Sequence, residues 1–417
     1  MNSLSFKSSK YNLYVEDNGM FCVSNTVTSS MILLESDEYL ALKENNISYF
    51  GDEDRELLYN QGLIVQEDLD ETALLRYAYF SSKLSSNEAH LTICPTLECN
   101  FSCPYCYEKR ERGFMSKEVQ NKLFSFVEQL AKLGVNKFYL MWYGGEPLLY
   151  PDIIQNVTKE IKLICDKYHS KLIVSMISNG YLIDKCLDVL KEIDLTRIQI
   201  TLDGEKETHD KRRFLRDGTG TFERVLNNII LASTFTKVTV RVNIDRTNII
   251  AFQKIKNYFL ENENIECYCS PVTIEENQCE AIKNSCFTVE QYGEFYKLTG
   301  SEPFYIYDGG IKCCSAEMKN TYVIDPDGDI YKCLNDIGKK QHKLSTLEKI
   351  NEFENPSIVS KYLGRDPFTE ETCKDCLFLP QCYGGCVWVY RDKSVHSCKH
   401  IKYSLLDDMK KMIEAGR

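Results

Sequence analysis

The run His90-Leu91-Thr92-Ile93-Cys94-Pro95-Thr96-Leu97-Glu98-Cys99-Asn100-Phe101-Ser102-Cys103-Pro104-Tyr105-Cys106 decides how the rest of the chain is read. His90–Cys94 is a strand-like run, and Pro95 ends it. Three thiols then follow at spacings of three and two residues. Thiolates so placed wrap one face of an iron–sulfur cubane, which needs four ligands. One iron is left open to a small molecule that carries both an amine and a carboxylate. Zinc is the competing reading, since short cysteine spacings also suit it. Zinc wants a fourth nearby ligand, and Cys94 lies in the strand, beyond Pro95.

Outward from this run, residues 89–275 alternate in period. Strands are predicted at His90–Cys94, Phe138–Trp142, Leu172–Ile177, Arg197–Leu202, Val238–Ile244 and Ile265–Val272, with amphipathic helices between them. Ser116, Asp184 and Thr221 are predicted helix caps, Pro151 suits a first helical turn, and the fifth helix is expected near Phe252–Leu260. Repeated strand–helix units imply an α/β fold with a parallel sheet, whose chemistry gathers at the C-terminal strand ends. The other motifs fall at those ends. Tyr143-Gly144-Gly145-Glu146-Pro147 closes the second strand, Ser178-Asn179-Gly180 the third and Thr201-Leu202-Asp203-Gly204 the fourth, and Arg213 follows. Ordinary turns are the plain alternative for the glycine motifs. A solvated charge run is the plain alternative for Lys211-Arg212-Arg213.

The Cys-x3-Cys-x-aromatic-Cys pattern, with Tyr105 as the aromatic, resembles the signature of radical S-adenosylmethionine (radical SAM) enzymes. The resemblance implies a partial (βα)6 TIM-type barrel. It implies a 4Fe–4S cluster on Cys99, Cys103 and Cys106, whose electron cleaves S-adenosylmethionine to a 5′-deoxyadenosyl radical. Gly144, Gly145 and Glu146 then match the motif that binds the methionine amine. Ser178 and Asn179 belong with the third strand end. Thr201 and Asp203 match the region that meets the ribose, and Arg213 the methionine carboxylate, for which its fork is suited.

A second cysteine group follows: Cys314, Gly328, Cys333, then Cys373-x2-Cys376-x5-Cys382-x3-Cys386, then Cys398. It resembles the seven-cysteine SPASM domain, which binds two auxiliary 4Fe–4S clusters, for three clusters in all. The resemblance assigns Cys373, Cys376, Cys382 and Cys398 to one and Cys314, Cys333 and Cys386 to the other. An eighth thiolate stays open among Cys313, Cys267, Cys269, Cys279 and Cys286, or the site is filled by substrate or solvent. Tyr322–Asp325 and Asp329–Lys332 flank a Pro326-Asp327-Gly328 turn, and Tyr403–Glu414 reads as a helix.

Residues 1–88 read as a separate small domain, 89–275 as the barrel and 276–417 as the SPASM part. Asn18-Gly19 is a hairpin signal, and a hairpin with three short helices resembles a winged-helix module. In enzymes that mature ribosomally made peptides, such a module often binds the leader of the precursor by adding it to a sheet edge. A decorative extension is the plain alternative.

Composition narrows the rest. The 417 residues carry 19 cysteines and a formal charge of −11, which argues for metal ligation over disulfides and against a nucleic-acid partner. No apolar run reaches the roughly 18 residues that span a bilayer, so no membrane partner and a cytoplasmic location are expected. Isolated Cys22, Cys165 and Cys186 read as buried thiols. Among SPASM-type enzymes, Leu334 and the long stretch before the first cluster depart from sulfatase-maturing enzymes. The resemblance therefore points to an oxidoreductase that matures peptides, of the freyrasin or ranthipeptide type, forming Cys-to-carbon thioethers. Its implied partners are a precursor peptide with a leader and a small electron donor of flavodoxin or ferredoxin type. Carbon–carbon crosslinking, sulfatase-type oxidation, and a non-enzymatic electron carrier or zinc scaffold are the alternatives.

Overall fold

The computed structural model describes residues 5–108, 113–272, 279–288, 291–299, 313–349, 354–393, 398 and 401–415. The chain divides into two compact units, Met1–Lys83 with Asp366–Arg417, and Leu84–Arg365. This partition splits the residues expected as one C-terminal domain.

In the first unit five strands, β1 (Phe6–Ser8), β2 (Asn12–Asp17), β3 (Met20–Asn25), β4 (Met31–Leu34) and β5 (Ile64–Gln66), accompany helices α1 (Ser36–Lys43), α2 (Asp52–Asn60) and α3 (Glu71–Lys83). Asn18 (φ 52°) and Gly19 (φ 77°) make the β2–β3 turn that the sequence predicts. β2, β3 and β4 form one antiparallel sheet, with β4 at an edge; β1 pairs with β5. The C-terminal helix Ile401–Ala415 packs Leu405, Met409 and Ile413 against Val15 and Cys22 of the hairpin. An ion pair of Arg76 with Asp366 (2.6 Å) also joins the two chain ends within this unit.

The second unit carries the parallel strands β6 (Glu88–Ile93), β7 (Lys137–Trp142), β8 (Lys171–Ser178), β9 (Leu195–Thr201), β10 (Lys237–Ile244) and β11 (Ile265–Pro271). Between them run α4 (Lys117–Lys132), α5 (Pro151–Lys167), α6 (Leu187–Glu192), α7 (Lys206–Arg212), α8 (Phe222–Ser233) and α9 (Ala251–Tyr258). All six predicted barrel strands are present, within two residues at each end. β12 (Thr321–Ile324) adds in parallel to the free edge of β6, and β13 (Asp329–Tyr331) and β14 (Ser345–Thr346) follow antiparallel. The predicted Pro-Asp-Gly hairpin thus extends the barrel sheet, an edge closure that no local pattern announces.

Two predicted caps need correction. Ser116 accepts from Val119 N as expected (3.2 Å). Asp184 instead sits in a short 3-10 turn and binds Arg224 at 2.9 Å. Thr221 holds the N-cap position of α8, but Asp210 Oδ1 accepts from its N–H (2.7 Å) and that of Phe222 (2.9 Å). The Thr221 hydroxyl is spent on Arg213 O (2.7 Å).

Along β10 the apolar Val238, Val240, Val242 and Ile244 are buried beneath α8 and α9, and Thr239, Arg241 and Asn243 have the opposite parity. Thr239 lines a cavity with Met141, Ser175, Arg197 and Gln199, so this second set faces the sheet's concave interior. His90 belongs to the interior set of β6 and stacks on Tyr139 (4.6 Å, 2°). Burial, reinforced by Lys137 and Lys332, pushes its pKa down to about 4. An unfolded histidine titrates near 6.5, so between these values the unfolded chain binds more protons and stability decreases as the pH is lowered. From pH 7 to pH 5 the expected loss is on the order of 2 kcal/mol. Unfolding curves at the two pH values should show it, with a clearly smaller pH difference in His90→Phe; an unchanged difference would refute the assignment.

Candidate functional site

The cysteine loop leaves β6 and is stitched to the unit along its length. Met115 N donates to Pro95 O (2.8 Å), Ser102 N to Phe214 O (2.8 Å) and Arg216 N to Asn100 O (3.2 Å). The segment after Arg213 thus forms one wall of the loop. The end of β7 forms the other: Tyr143 N donates to Ile93 O (3.0 Å), and Glu146 N to Glu98 O (2.8 Å). A Cβ on Gly144 would stand 2.2 Å from Thr96 O, and one on Gly145 would stand 2.2 Å from Glu98 O. Gly144 also has φ +122°. Only glycine permits this approach. Both glycines, expected from the sequence at a ligand, are packed on the cysteine loop.

Glu146 is fully buried and accepts from Asn179 N (2.7 Å), Ser178 Oγ (2.9 Å) and Leu148 N (3.0 Å). Burial raises its pKa, and these donors oppose the rise. Ser178 and Asn179 thus do more than turn the chain. The Asn179 amide donates to Asn100 Oδ1 (2.7 Å) and stands 3.8 Å from Cys99 Sγ. Cys99 also receives Phe101 N–H (3.4 Å), while burial pushes its thiol up to about 12.

A second cluster forms around Tyr105. Its hydroxyl donates to Asp203 and accepts from Arg213 Nη1 (2.9 Å) and the Asn243 amide (3.3 Å). Asp203 also takes Asn243 N–H (2.9 Å), and Arg212 binds Asp245 at 2.6 Å with its ring-facing plane 5.0 Å from the Tyr105 ring. Asp203 N donates to His209 Nδ1 (3.2 Å); burial lowers His209 to about 3 and keeps it neutral. The charge run Lys211-Arg212-Arg213 therefore divides: Lys211 is exposed, whereas Arg212 and Arg213 are 8% and 9% exposed. Sequence reasoning missed Arg212, Asn243, Asp245 and His209. The end of β10, Asn243-Ile244-Asp245, was the available signal, because polar residues closing a buried parallel strand have a reason to be there.

Thr201 ends β9 opposite Arg241 and is buried. Cys314 and Cys333 lie in the second unit, and Cys373, Cys376, Cys382, Cys386 and Cys398 in the first. Cys22, Cys165 and Cys186 are buried thiols, as read from the sequence. Among the described residues, no three Cys, His, Asp or Glu side chains converge on a single metal-ion position. The donor set nonetheless suits the implied groups. Three thiols share one braced loop, with an N–H aimed at Cys99 that favours a thiolate. Arg213 Nε is buried with no hydrogen-bond partner among the described residues, leaving part of its fork for a carboxylate.

The comparisons agree with this geometry. Residues 93–245 match the family model of the radical SAM superfamily. The chain is 21% identical to the radical SAM cyclopropyl synthase TigE of Paramaledivibacter caminithermalis, over 94% of this chain and 89% of that one. It is 22% identical to a cysteine-type anaerobic sulfatase-maturating enzyme of Clostridium novyi, over 69% of this chain and 84% of that one. A likeness of 32% to GTP 3′,8-cyclase of Lactiplantibacillus plantarum is confined to 36% of this chain and 43% of that enzyme. Among solved structures, anSMEcpe with bound AdoMet and Cp18Cys peptide shares the fold with TM-score 0.61 at 18% identity, covering 79% of this chain and 100% of that one. SuiB of Streptococcus suis bound to precursor peptide SuiA gives 0.50 at 16%, covering 93% and 97%.

Two substitutions and a control test the site. In Gly145→Ala the new methyl meets backbone carbonyls that cannot swing away, so the loop must shift. The expected result is about 1–3 kcal/mol of lost stability and weaker S-adenosylmethionine binding, read by equilibrium dialysis of anaerobic protein. Arg212→Met strands the Asp245 carboxylate and should cost about 3–5 kcal/mol, whereas Lys211→Met should stay within roughly 0.5 kcal/mol; denaturant titration compares them.

Proposed function

We propose that this chain matures a ribosomally made precursor peptide, taking a hydrogen atom from a side-chain carbon and closing a new bond there with net loss of two hydrogens. The observation that carries this is one braced network joining the three-cysteine loop, the β7 end and Arg213, in a chain alike from end to end to a bond-forming radical SAM enzyme. When bound, S-adenosylmethionine and the clusters supply a strong hydrogen-atom acceptor and a sink for the second electron.

The chain's own residues divide the work. Cys99, Cys103 and Cys106 hold the first cluster. The β7 end from Gly144 to Glu146, with Thr201, Asp203 and Arg213, holds S-adenosylmethionine, and Arg213 takes its carboxylate. Cys373, Cys376, Cys382 and Cys398 are proposed for an auxiliary cluster, which gives the first unit a covalent reason to fold. Cys314, Cys333 and Cys386 are proposed as auxiliary ligands on the sequence pattern. The hairpin unit, residues 1–88, is proposed to recognise the leader. Its edge strand β4, half-buried at all four residues, supports strand addition.

In the first form of the reaction a peptide thiol is the partner. One C–H and one S–H bond break, one C–S bond forms, and the product is a thioether. A second form joins carbon to carbon, and the likeness to a cyclopropyl synthase favours it. Both are read by mass spectrometry of short reading frames from beside the gene, co-expressed with the enzyme. A thioether is expected as a loss of two hydrogens and one alkylatable thiol per link. Loss of two hydrogens with every thiol still alkylated excludes the thioether and leaves the carbon–carbon form or a desaturation. Unmodified peptide from every flanking frame, beside active cleavage of S-adenosylmethionine, would overturn the peptide reading.

A further inference from the structure

Two arginines inside this barrel pair with acids, and two do not. Arg197, on β9, binds Glu266 of β11 at 2.8 Å. Arg212 binds Asp245 at 2.6 Å. Arg213 is accounted for by its S-adenosylmethionine role. Arg241 has no carboxylate within ion-pair distance among the described residues. It is nonetheless in the interior set of β10, between Thr201 on β9 and Tyr268 on β11.

The groups it bonds directly are polar and uncharged; the carboxylates of Glu108 and Asp203 lie one residue further out, on Tyr143 and on the Asn243 backbone. Nε donates to Asn243 Oδ1 at 2.8 Å, and a further hydrogen bond links it to the Tyr268 phenol. Tyr268 in turn donates to Gln199 Oε1 (2.8 Å). The phenols of Tyr268, Tyr107, Tyr143 and Tyr105 act on its charge. Two of these belong to the cysteine loop, and Tyr143 immediately precedes Gly144. Arg241 therefore stands beside the chemistry. It is also the one residue in the interior of β10 that keeps partial exposure, and α8 and α9 cover the other face, so that exposure is to the lumen.

A buried cation without an acid is costly, while tyrosine phenols soften the cost without neutralising it. A guanidinium has five N–H donors, and Asn243 and Tyr268 engage only some of them. We infer that Arg241 is a substrate-binding residue that takes a side-chain carboxylate of the peptide, at or beside the residue whose carbon reacts. The inference rests on the peptide reading above and deepens it: the substrate segment entering the barrel is acidic.

The test uses anaerobic, cluster-loaded full-length protein with S-adenosylmethionine, reductant and four probes. These are the N-acetyl N-methylamides of aspartate, glutamate, asparagine and glutamine, deuterated on their side chains. The readout is the deuterium fraction of the 5′-deoxyadenosine released, which does not depend on how much is formed. Calorimetric titration with the same probes gives binding separately. The acidic probes are expected to bind and to label about tenfold better than their amides. Arg241→Gln should erase that preference, and Arg241→Lys should keep part of it, which separates charge recognition from a merely structural arginine. Should Arg241→Gln fail to fold, the wild-type preference and the Lys variant still decide. Equal behaviour of acids and amides, labelling from none of the probes, or a preference that survives in Arg241→Gln would overturn the inference. Acid preference beside unmodified flanking peptides would instead leave Arg241 in place and remove the peptide reading.

Discussion

Two glycines set the position of everything else at the mouth of the barrel. Gly144 and Gly145 lie so close to the carbonyls of Thr96 and Glu98 that a single methyl on either would overlap the loop at 2.2 Å. Backbone pressed on backbone fixes the start of the cysteine loop relative to β7. Its far part is fixed by the strand-like bonds to Phe214 and Arg216. Tyr105 is thereby carried to Asp203, and Arg213 to Tyr105. The cysteines and the arginine are far apart in sequence, and no direct bond between them is needed to bring them to one place.

The electrostatics follow from that placement. Asp203, Asp245, Arg212 and Arg213 are all buried, which is tolerable because each shares hydrogen bonds with the others or with Asn243 and Tyr105. His209 adds a neutral acceptor for the Asp203 backbone, and its depressed pKa means that acidification to ordinary working pH leaves it uncharged. A network of this kind rigidifies the loop only when complete, because an unpaired buried charge is expensive. Arg213 keeps its Nε without a partner among the described residues, which is why a carboxylate from outside the chain is proposed for it.

The barrel was legible in the sequence because parallel strands buried on both faces read as apolar runs, and the helices between them have a clear period. Glu146 and Asp203 were read from the sequence as lying just past strand ends, and the structure places them there, close to the loop of Cys99 and Tyr105. What could not be read were pairings between distant segments. β12 joining β6, the C-terminal helix covering the Val15–Cys22 hairpin, and Arg212 reaching Asp245 are each set by packing, not by neighbouring residues. The cap at Thr221 failed for the same reason. Asp210, eleven residues earlier, returns to the helix start and frees the hydroxyl for Arg213. The glycine pair was singled out for its conformational freedom, and the close approach to the Thr96 and Glu98 carbonyls could not be read from sequence.

The central claim is that the loop from Cys99 to Cys106 holds a cubane with one open iron that S-adenosylmethionine occupies. The most direct measurement is pulsed electron–nuclear double resonance on the reduced, anaerobic protein with S-adenosylmethionine labelled with 15N at its amine and 17O at its carboxylate. Both nuclei should couple to the reduced cluster, and the couplings should vanish when Cys99, Cys103 and Cys106 are replaced by alanine, while roughly two of three clusters remain. Stoichiometric zinc in the wild-type protein, or a reduced cluster that shows no coupling to either label, would contradict it.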